Sequence, residues 1–443
     1  MRWKTGFGAL AAAVLVLLCS GLAAQAHPHL RALASLCGDY SCSNGAYPSP
    51  LLVTSAGDLY GTTAAGGVRG DGSVFRLTRV RGTDKWTFRT IYNFCALNDC
   101  ADGYYPFQAN LIADPSGNIY GTANGGGAFG GGVFYKLTPN KNGRNWILTV
   151  LYNFCSRNSA CTDGAGPQGP LTYPGAAEGL PYDGTSPLYG TAGYDGVHGH
   201  GVVFSLTPKV GGWRETVLYP FCPAGGFSCP DGQNPYGVTL DAAGDLIGVA
   251  QGGVPRAGLV FRLSPVEGRR LWSETVLYTF CSLAKCADGD GPSGAPLVDG
   301  AGNIFGLAGG GASTECNGSG CGVLYQVTPD GTETVLYQFC LQKGCADGRY
   351  PVGALIQDSL GTLYGVTNAG GQYDNDINRI GGGTVFTFSG SSVKTLVSFC
   401  AAPSCPEGEY PYPGVVMDSA AELFGTAQAG GPGGTGTVYQ IRH

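Results

Sequence analysis

The chain has 443 residues, a net charge of −6, 13% charged residues and 77 glycines. An acidic chain without a basic run excludes a nucleic-acid binder that works through phosphate contacts. A hydrophobic content of 43% supplies a large core. The glycines recur beside aromatic and β-branched residues, which implies tight turns between strands and excludes a low-complexity chain.

Residues 1–26 predict a secretory signal peptide. Arg2 and Lys4 form a basic start, residues 9–18 are apolar, and Ala24-Gln25-Ala26 is a small-x-small cleavage site. The apolar run is too short for a permanent span, so no membrane span is expected in the mature chain, 27–443. Cys19 follows Leu18, where a lipoprotein site takes a small residue, so lipidation is not expected. Loss of Arg2 and Lys4 removes two positive charges and takes the net charge from −6 to −8.

One phrase then returns along the rest of the chain. Its centres are Leu59-Tyr60-Gly61, Ile119-Tyr120-Gly121, Leu188-Tyr189-Gly190, Leu246-Ile247-Gly248, Ile304-Phe305-Gly306, Leu363-Tyr364-Gly365 and Leu423-Phe424-Gly425. The steps between central residues are 60, 69, 58, 58, 59 and 60. A fixed period of this kind sets the architecture. In the second copy the pattern predicts strands at 107–113, 118–123, 132–138 and 146–154, with Asp114-Pro115-Ser116-Gly117 as a tight turn. The fourth strand is apolar on both sides, so both of its faces are expected to be covered. An aromatic recurs in the third strand at Phe75, Tyr135, Phe204, Phe261, Tyr325, Phe386 and Tyr439. Regular placement on a strand predicts packing between sheets in preference to a sugar-binding strip.

Seven four-stranded units predict an all-β fold, a seven-bladed β-propeller. The mature chain opens at 30–37 with a stretch that matches a fourth strand, and it ends at 437–441 with a third strand. The N-terminal strand is therefore expected to close the last blade and remove an open edge. A parallel β-helix would leave that complementarity of the ends unexplained.

Sixteen cysteines remain after the signal. Seven close pairs recur once per repeat: Cys37 and Cys42, Cys95 and Cys100, Cys155 and Cys161, Cys222 and Cys229, Cys281 and Cys286, Cys340 and Cys345, Cys400 and Cys405. The eighth pair, Cys316 and Cys321, lies elsewhere in its repeat. Disulfides are expected, and with them a secreted or periplasmic location. Zinc is the rival reading. It needs four ligands, and each repeat supplies two cysteines.

The run L-Y-G-T, then G-x-V-F-x-L-T-P, T-V-L-Y-x-F and D-G-x-x-P resembles the GloVer-type tandem repeat of exported bacterial proteins. The resemblance covers nearly all of the mature chain. It implies an exported repeat protein, often with a C-terminal surface anchor, and no agreed activity. Here Arg442-His443 follow the last strand, so no anchor is expected. The D-x-x-G-N-L-Y turn is similar to NHL-type propeller repeats.

Loops on a rigid scaffold carry function. In a propeller the loops from second to third strand and from fourth to next first strand share one face, and that face holds the Gly-rich and cysteine loops. The aspartates of D-G-x-x-P (Asp102, Asp163, Asp231, Asp288, Asp347) read as turn caps or as a cation-binding ring. Asn44 in the first copy favours caps. Ligand-binding candidates are the residues that break the repeat: Tyr194, Asp195, His198 and His200 in the third copy, and Tyr373, Asp374, Asp376 and Asn378 in the sixth. The latter have D-x-D-x-N spacing, but Arg379 replaces the glycine of an EF-hand, which leaves only a looser structural calcium site open. No catalytic motif, other cofactor or metal site is expected, and histidine is scarce. The expected function is a monomeric binding or structural module for an extracellular glycan, peptide or protein. The alternative is a propeller-based extracellular enzyme such as a polysaccharide lyase or glycosidase.

Overall fold

The computed structural model describes residues 28–442 apart from 40, 109, 224, 226–228, 312–315, 317–319 and 374–380. Among the described residues the chain forms seven four-stranded antiparallel sheets, a seven-bladed β-propeller. Blade 1 is Ala46–Val53, Leu59–Ala65, Ser73–Arg79 and Trp86–Asn93. Blade 2 is Ile112–Ala113, Ile119–Ala123, Val133–Pro139 and Trp146–Asn153. Blade 3 is Ala165–Thr172, Leu188–Tyr194, Val202–Lys209 and Gly212–Pro220. Blade 4 is Gln233–Leu240, Leu246–Gln251, Leu259–Ser264 and Ser273–Thr279. Blade 5 is Asp290–Val298, Ile304–Gly310, Val323–Val327 and Glu333–Gln338. Blade 6 is Arg349–Gln357, Leu363–Ala369, Thr384–Ser389 and Ser392–Ser398. Blade 7 is Glu409–Met417, Leu423–Ala429 and Thr437–Arg442, completed by the N-terminal strand His29–Ser35.

The closure expected from the chain ends is present. His29 pairs with Arg442, Leu30 with Ile441 and Ser35 with Thr437. No helix among the described residues is long and apolar enough to cross a membrane.

The core lies between blades. One apolar cluster occupies each interface: Phe134 and Phe154 of blade 2 pack with Leu188 and Phe204 of blade 3, and Leu59 and Phe75 of blade 1 with Phe424 and Val438 of blade 7. The recurring third-strand aromatics are all fully buried. Six of them meet, at about right angles or tilted, the phenylalanine before the cysteine loop, for example Phe94 with Tyr135 at 5.3 Å and Phe399 with Tyr439 at 5.0 Å. Such pairs add about 0.5–1.5 kcal/mol beyond area burial. The tryptophans do similar work at the rim. Trp86 packs on Phe424, Trp146 on Tyr60 and Trp272 on Tyr189, each across a blade boundary.

Two local expectations are corrected. The fourth strand is not covered on both faces: alternate residues near its start are open, and Ile147 is 64% exposed. It is the outermost strand, so neighbouring blades reach only its later residues. The first strand of blade 2 is Ile112–Ala113, not 107–113. Gln108 has φ +57°, which breaks the extended run before the strand begins.

Candidate functional site: an aromatic basin at the channel mouth

The loops of one face are tied blade to blade. Each first strand is entered by a residue in the left-handed region: Tyr47, Tyr105, Gly166, Asn234, Gly291, Tyr350 and Tyr410, with φ from +46° to +68°. Its N–H donates to a carbonyl in the Gly-rich loop of the preceding blade. Tyr105 reaches Asp71 (2.9 Å), Gly166 reaches Gly131 (2.9 Å), Asn234 reaches His200 (2.8 Å) and Tyr350 reaches Cys321 (2.8 Å). Gly or Asn suits this conformation. Tyr costs about 1–2 kcal/mol there, yet four blades use it.

The D-G-x-x-P aspartates act beneath this ring. Asp102 accepts from the Tyr92 hydroxyl at 2.6 Å and from the N–H of Ala96 (3.0 Å) and Leu97 (3.1 Å). Asp288 and Asp347 repeat the pattern with Tyr278 and Tyr337. Asp102, Asp163, Asp288 and Asp347 are fully buried. They cap the cysteine loops, and in blade 1 Asn44 takes the same place by accepting from the Cys37 N–H at 2.8 Å. The second aspartate series is also structural: Asp114 accepts from the N–H of Ser116 and Asn118, both at 2.9 Å.

All eight expected disulfides are present. Cys37 is bonded to Cys42, Cys95 to Cys100, Cys155 to Cys161, and Cys222 to Cys229. Cys281 is bonded to Cys286, Cys316 to Cys321, Cys340 to Cys345, and Cys400 to Cys405. Cys161 and Cys286 hold their loops through backbone contacts as well as through the disulfides. The Cys161 carbonyl accepts from the N–H of Gly164 (2.7 Å) and Gly196 (3.0 Å), and the Cys286 carbonyl accepts from Gly289 (2.9 Å). Each has a left-handed backbone, φ +47° at Cys161 and +51° at Cys286, which turns the chain toward the capping aspartate. Eight such bonds suit an oxidising, extracellular or periplasmic compartment.

The first strands line the central channel. Glycines such as Gly294 and Gly353 let them meet there: a Cβ on Gly294 would lie 2.5 Å from the Gly353 carbonyl carbon. A cavity of about 250 Å³ occupies the channel. Blade 2 breaks the ring symmetry. Its irregular lead-in sends Phe107 to stack on Tyr412 of blade 7, with centroids 6.2 Å apart and planes 5° apart, and the Gln108 amide donates to the Tyr412 hydroxyl.

Beside this contact lies an open basin of about 500 Å³. Its walls carry the rings of Tyr104, Tyr105, Phe107, Tyr194 and Tyr236 and the amides of Gln108, Asn124 and Gln168. Tyr105 is 44% exposed and Tyr194 59% exposed. Tyr105 stacks on Phe107 at 5.4 Å. With its amide turned so that the nitrogen faces these acceptors, Asn124 donates to the carbonyls of Tyr105 (3.1 Å) and Phe107 (3.0 Å) and braces that pair. The Tyr194 ring lies over Gly166, where a Cβ would come within 2.6 Å of it. Burial raises the Tyr236 hydroxyl and pushes Tyr412 up to about 12, so both remain neutral donors at ordinary pH.

The sequence candidates divide. Tyr194 and Asp195 line the basin. The His200 backbone pairs with Asp195, but its side chain meets other groups: its Nδ1 meets the Gln233 Oε1 at 3.1 Å, and its ring nitrogen lies within 4.8 Å of the sulfurs of Cys222 and Cys229. His198 does not join that group. Tyr373 lies in a separate depression with Tyr410 and Glu409. Asp374, Asp376 and Asn378, and with them the looser calcium reading, fall outside the described residues. Residues not singled out from sequence are Tyr104, Tyr105, Phe107, Gln108, Gln168 and Tyr236. The available signal was tyrosine at a turn position that favours glycine.

No curated protein matches the sequence. Solved structures align with the chain at low identity and with TM-scores below 0.5. A luciferin-regenerating enzyme aligns at 11% identity and TM-score 0.45, over 84% of this chain and 98% of its own. A protein described as a 6-phosphogluconolactonase from Bacteroides uniformis aligns at 13% and 0.47, over 86% and 90%. A protein described as a glucose dehydrogenase from Thermus thermophilus aligns at 16% and 0.40, over 75% and 95%. The Gloeobacter/Verrucomicrobia repeat model matches residues 25–187, 175–377 and 311–443, nearly the whole length. With its seven repeats folded as seven blades, the chain belongs to the Gloeobacter/Verrucomicrobia repeat family.

Proposed function

We propose that this propeller is an exported, monomeric binding module whose ligand is an uncharged glycan held in the basin at the channel mouth. The observation that carries the reading is the basin wall itself, which brings several aromatic rings and side-chain amides together. Pyranose rings offer apolar C–H faces that lie on aromatic rings and hydroxyls that pair with amides and phenols. Among the described residues the basin lining contains one carboxylate, Asp195, and no basic side chain, which suits a neutral ligand. Glycoside hydrolysis by two carboxylates needs a second such group within about 5–10 Å, so the lining supports binding over turnover. Export through residues 1–26 would place the module among extracellular or periplasmic polysaccharides.

A panel of neutral and acidic oligosaccharides, screened by immobilised-glycan binding with chromatographic analysis of the recovered sugars, tests this. Retention of neutral glycans at unchanged chain length is expected. Binding confined to acidic glycans or to peptides, or shortening of the recovered chains, would overturn it.

A further inference from the structure

Four sulfurs meet at one place in the ring. The Sγ atoms of Cys316, Cys321, Cys340 and Cys345 all lie within 4.8 Å of one another, and no residue of the four is more than 7% exposed. They form two disulfides, Cys316–Cys321 in the Gly-rich loop of blade 5 and Cys340–Cys345 in the loop that leads to blade 6. Among the described residues the other clusters of this kind hold three groups: His200 with Cys222 and Cys229, Asp71 with Cys95 and Cys100, and Glu409 with Cys400 and Cys405. The eighth cysteine pair, the one outside the repeat pattern, is what completes a set of four.

We infer that these four cysteines form a redox-gated site for a thiophilic divalent cation of the zinc class. In the oxidised chain the sulfurs are bonded in pairs and the site is closed. A dithiol reductant opens it: each disulfide takes up two electrons and two protons, and each reductant molecule closes its own disulfide. The resulting four thiols bind Zn²⁺ as thiolates and release four protons. Zinc–sulfur bonds of about 2.3 Å in a tetrahedron place sulfurs roughly 3.8 Å apart. All four sulfurs already lie within 4.8 Å of one another, and on reduction the two sulfurs of each pair move apart from bonding distance to reach that spacing.

The backbone holds the ligands without help from the S–S bonds. Cys340 donates its N–H to Gly348 (3.0 Å) and Cys345 to Gln342 (2.9 Å), while the Cys345 carbonyl accepts from Gly348 and Gly371. Asp347 fixes the same loop from below through the N–H groups of Leu341 (3.0 Å) and Gln342 (3.1 Å). The Cys321 carbonyl is held by the Tyr350 N–H at 2.8 Å. Reduction therefore leaves at least three of the thiols in place. In single-pair loops the same chemistry yields two thiols and a weaker site.

The test uses the whole mature chain and Co²⁺ as the spectroscopic probe. Phosphine-reduced, oxygen-free protein, checked for folding by circular dichroism, is titrated with Co²⁺. One equivalent is expected to give the visible d–d and near-ultraviolet charge-transfer bands of a tetrahedral tetrathiolate, and Zn²⁺ is expected to erase them. Oxidised protein should show neither band. The Cys316→Ser/Cys321→Ser variant should lose the tetrathiolate spectrum, and the Cys95→Ser/Cys100→Ser variant should keep it. The inference is overturned if reduced folded protein gives no such spectrum, if Cys316→Ser/Cys321→Ser retains it, or if reduction unfolds the ring with Co²⁺ present.

Discussion

The backbone N–H of Tyr47 donates to the carbonyl of Thr435 at 2.9 Å, joining residues from opposite ends of the chain. It is one of seven equivalent links. Here it works with the pairing of His29–Ser35 to Thr437–Arg442 and with Leu36, which is fully buried where other blades place a phenylalanine. Removing residues 28–36 uncovers the edge of Thr437–Arg442 and strips several leucines from the core. A loss of about 3–6 kcal/mol is expected from the apolar burial alone, read as a lower urea midpoint. An unchanged midpoint would contradict closure by this strand.

The central glycine of the repeat has a packing cause. Gly121 pairs directly with Tyr135, and a Cβ on it would meet the Tyr135 hydroxyl at 2.6 Å and Leu111 at 2.8 Å. The ring occupies the place of the missing side chain. Gly121→Ala is expected to cost about 1–3 kcal/mol through overpacking. Among the described residues the Tyr135 hydroxyl is buried without a hydrogen-bond partner, so Tyr135→Phe should be neutral or stabilising by up to about 1 kcal/mol. Thermal melts distinguish the two. A strongly destabilised Tyr135→Phe would contradict the packing account.

Stability should fall as pH rises from acid to mildly alkaline. Burial pushes Glu215 up to about 8, outweighing the opposing Arg157 guanidinium, and Glu274 and Glu333 up to about 7, with Asp231 and Asp288 adding to the effect. Each sits above the ordinary value of 4.5, so the folded state holds these protons more tightly than the unfolded chain. Their stabilising contribution is full below about pH 4.5 and is lost as pH climbs through 7 to 8. Asp183 works in the opposite sense at lower pH. Hydrogen bonds from Ser186 hold it at about 2, and its contribution is lost only as pH falls below 3.8 toward that value. Urea midpoints at pH 5 and pH 8 check this. Glu274→Gln with Glu333→Gln should flatten the slope, and an unchanged slope would refute the assignment.

The fold was legible in the chain because it is repeated. Seven copies of the Leu-Tyr-Gly phrase, an aromatic in each third strand and complementary ends all follow from packing between identical units. The basin was not legible for the opposite reason. Phe107, Gln108, Gln168, Tyr236 and Tyr412 come from four blades, and the Gln108–Tyr412 contact spans 304 positions. Tyr104 and Tyr105 were hidden inside D-G-x-x-P, a motif whose aspartate is structural. Tyr194 and Asp195 stood out in the sequence because their loop departs from the repeat. The four-sulfur cluster escaped notice because cysteines taken pair by pair do not reveal that two pairs meet.

The left-handed tyrosines offer a separate check. Tyr47 has φ +57° and is 47% exposed. Tyr47→Gly relieves the backbone but loosens the unfolded chain, and the two effects are each about 1 kcal/mol. Its stability should match the parent within about 1 kcal/mol. Tyr47→Val gains no relief and adds a branched Cβ, so it should be the less stable of the two by about 1–2 kcal/mol. Equal chemical-denaturation midpoints for the pair would contradict the strain argument.

The central claim is tested most directly by calorimetric titration of a neutral oligosaccharide into the parent chain and into Tyr105→Ala/Tyr194→Ala, with Tyr373→Ala as control. Loss of two stacking faces at about 0.5–1.5 kcal/mol each predicts affinity at least roughly fivefold weaker in the double variant and unchanged in the control. Equal affinity in parent and double variant, or a loss seen with Tyr373→Ala instead, would contradict a glycan site in the basin.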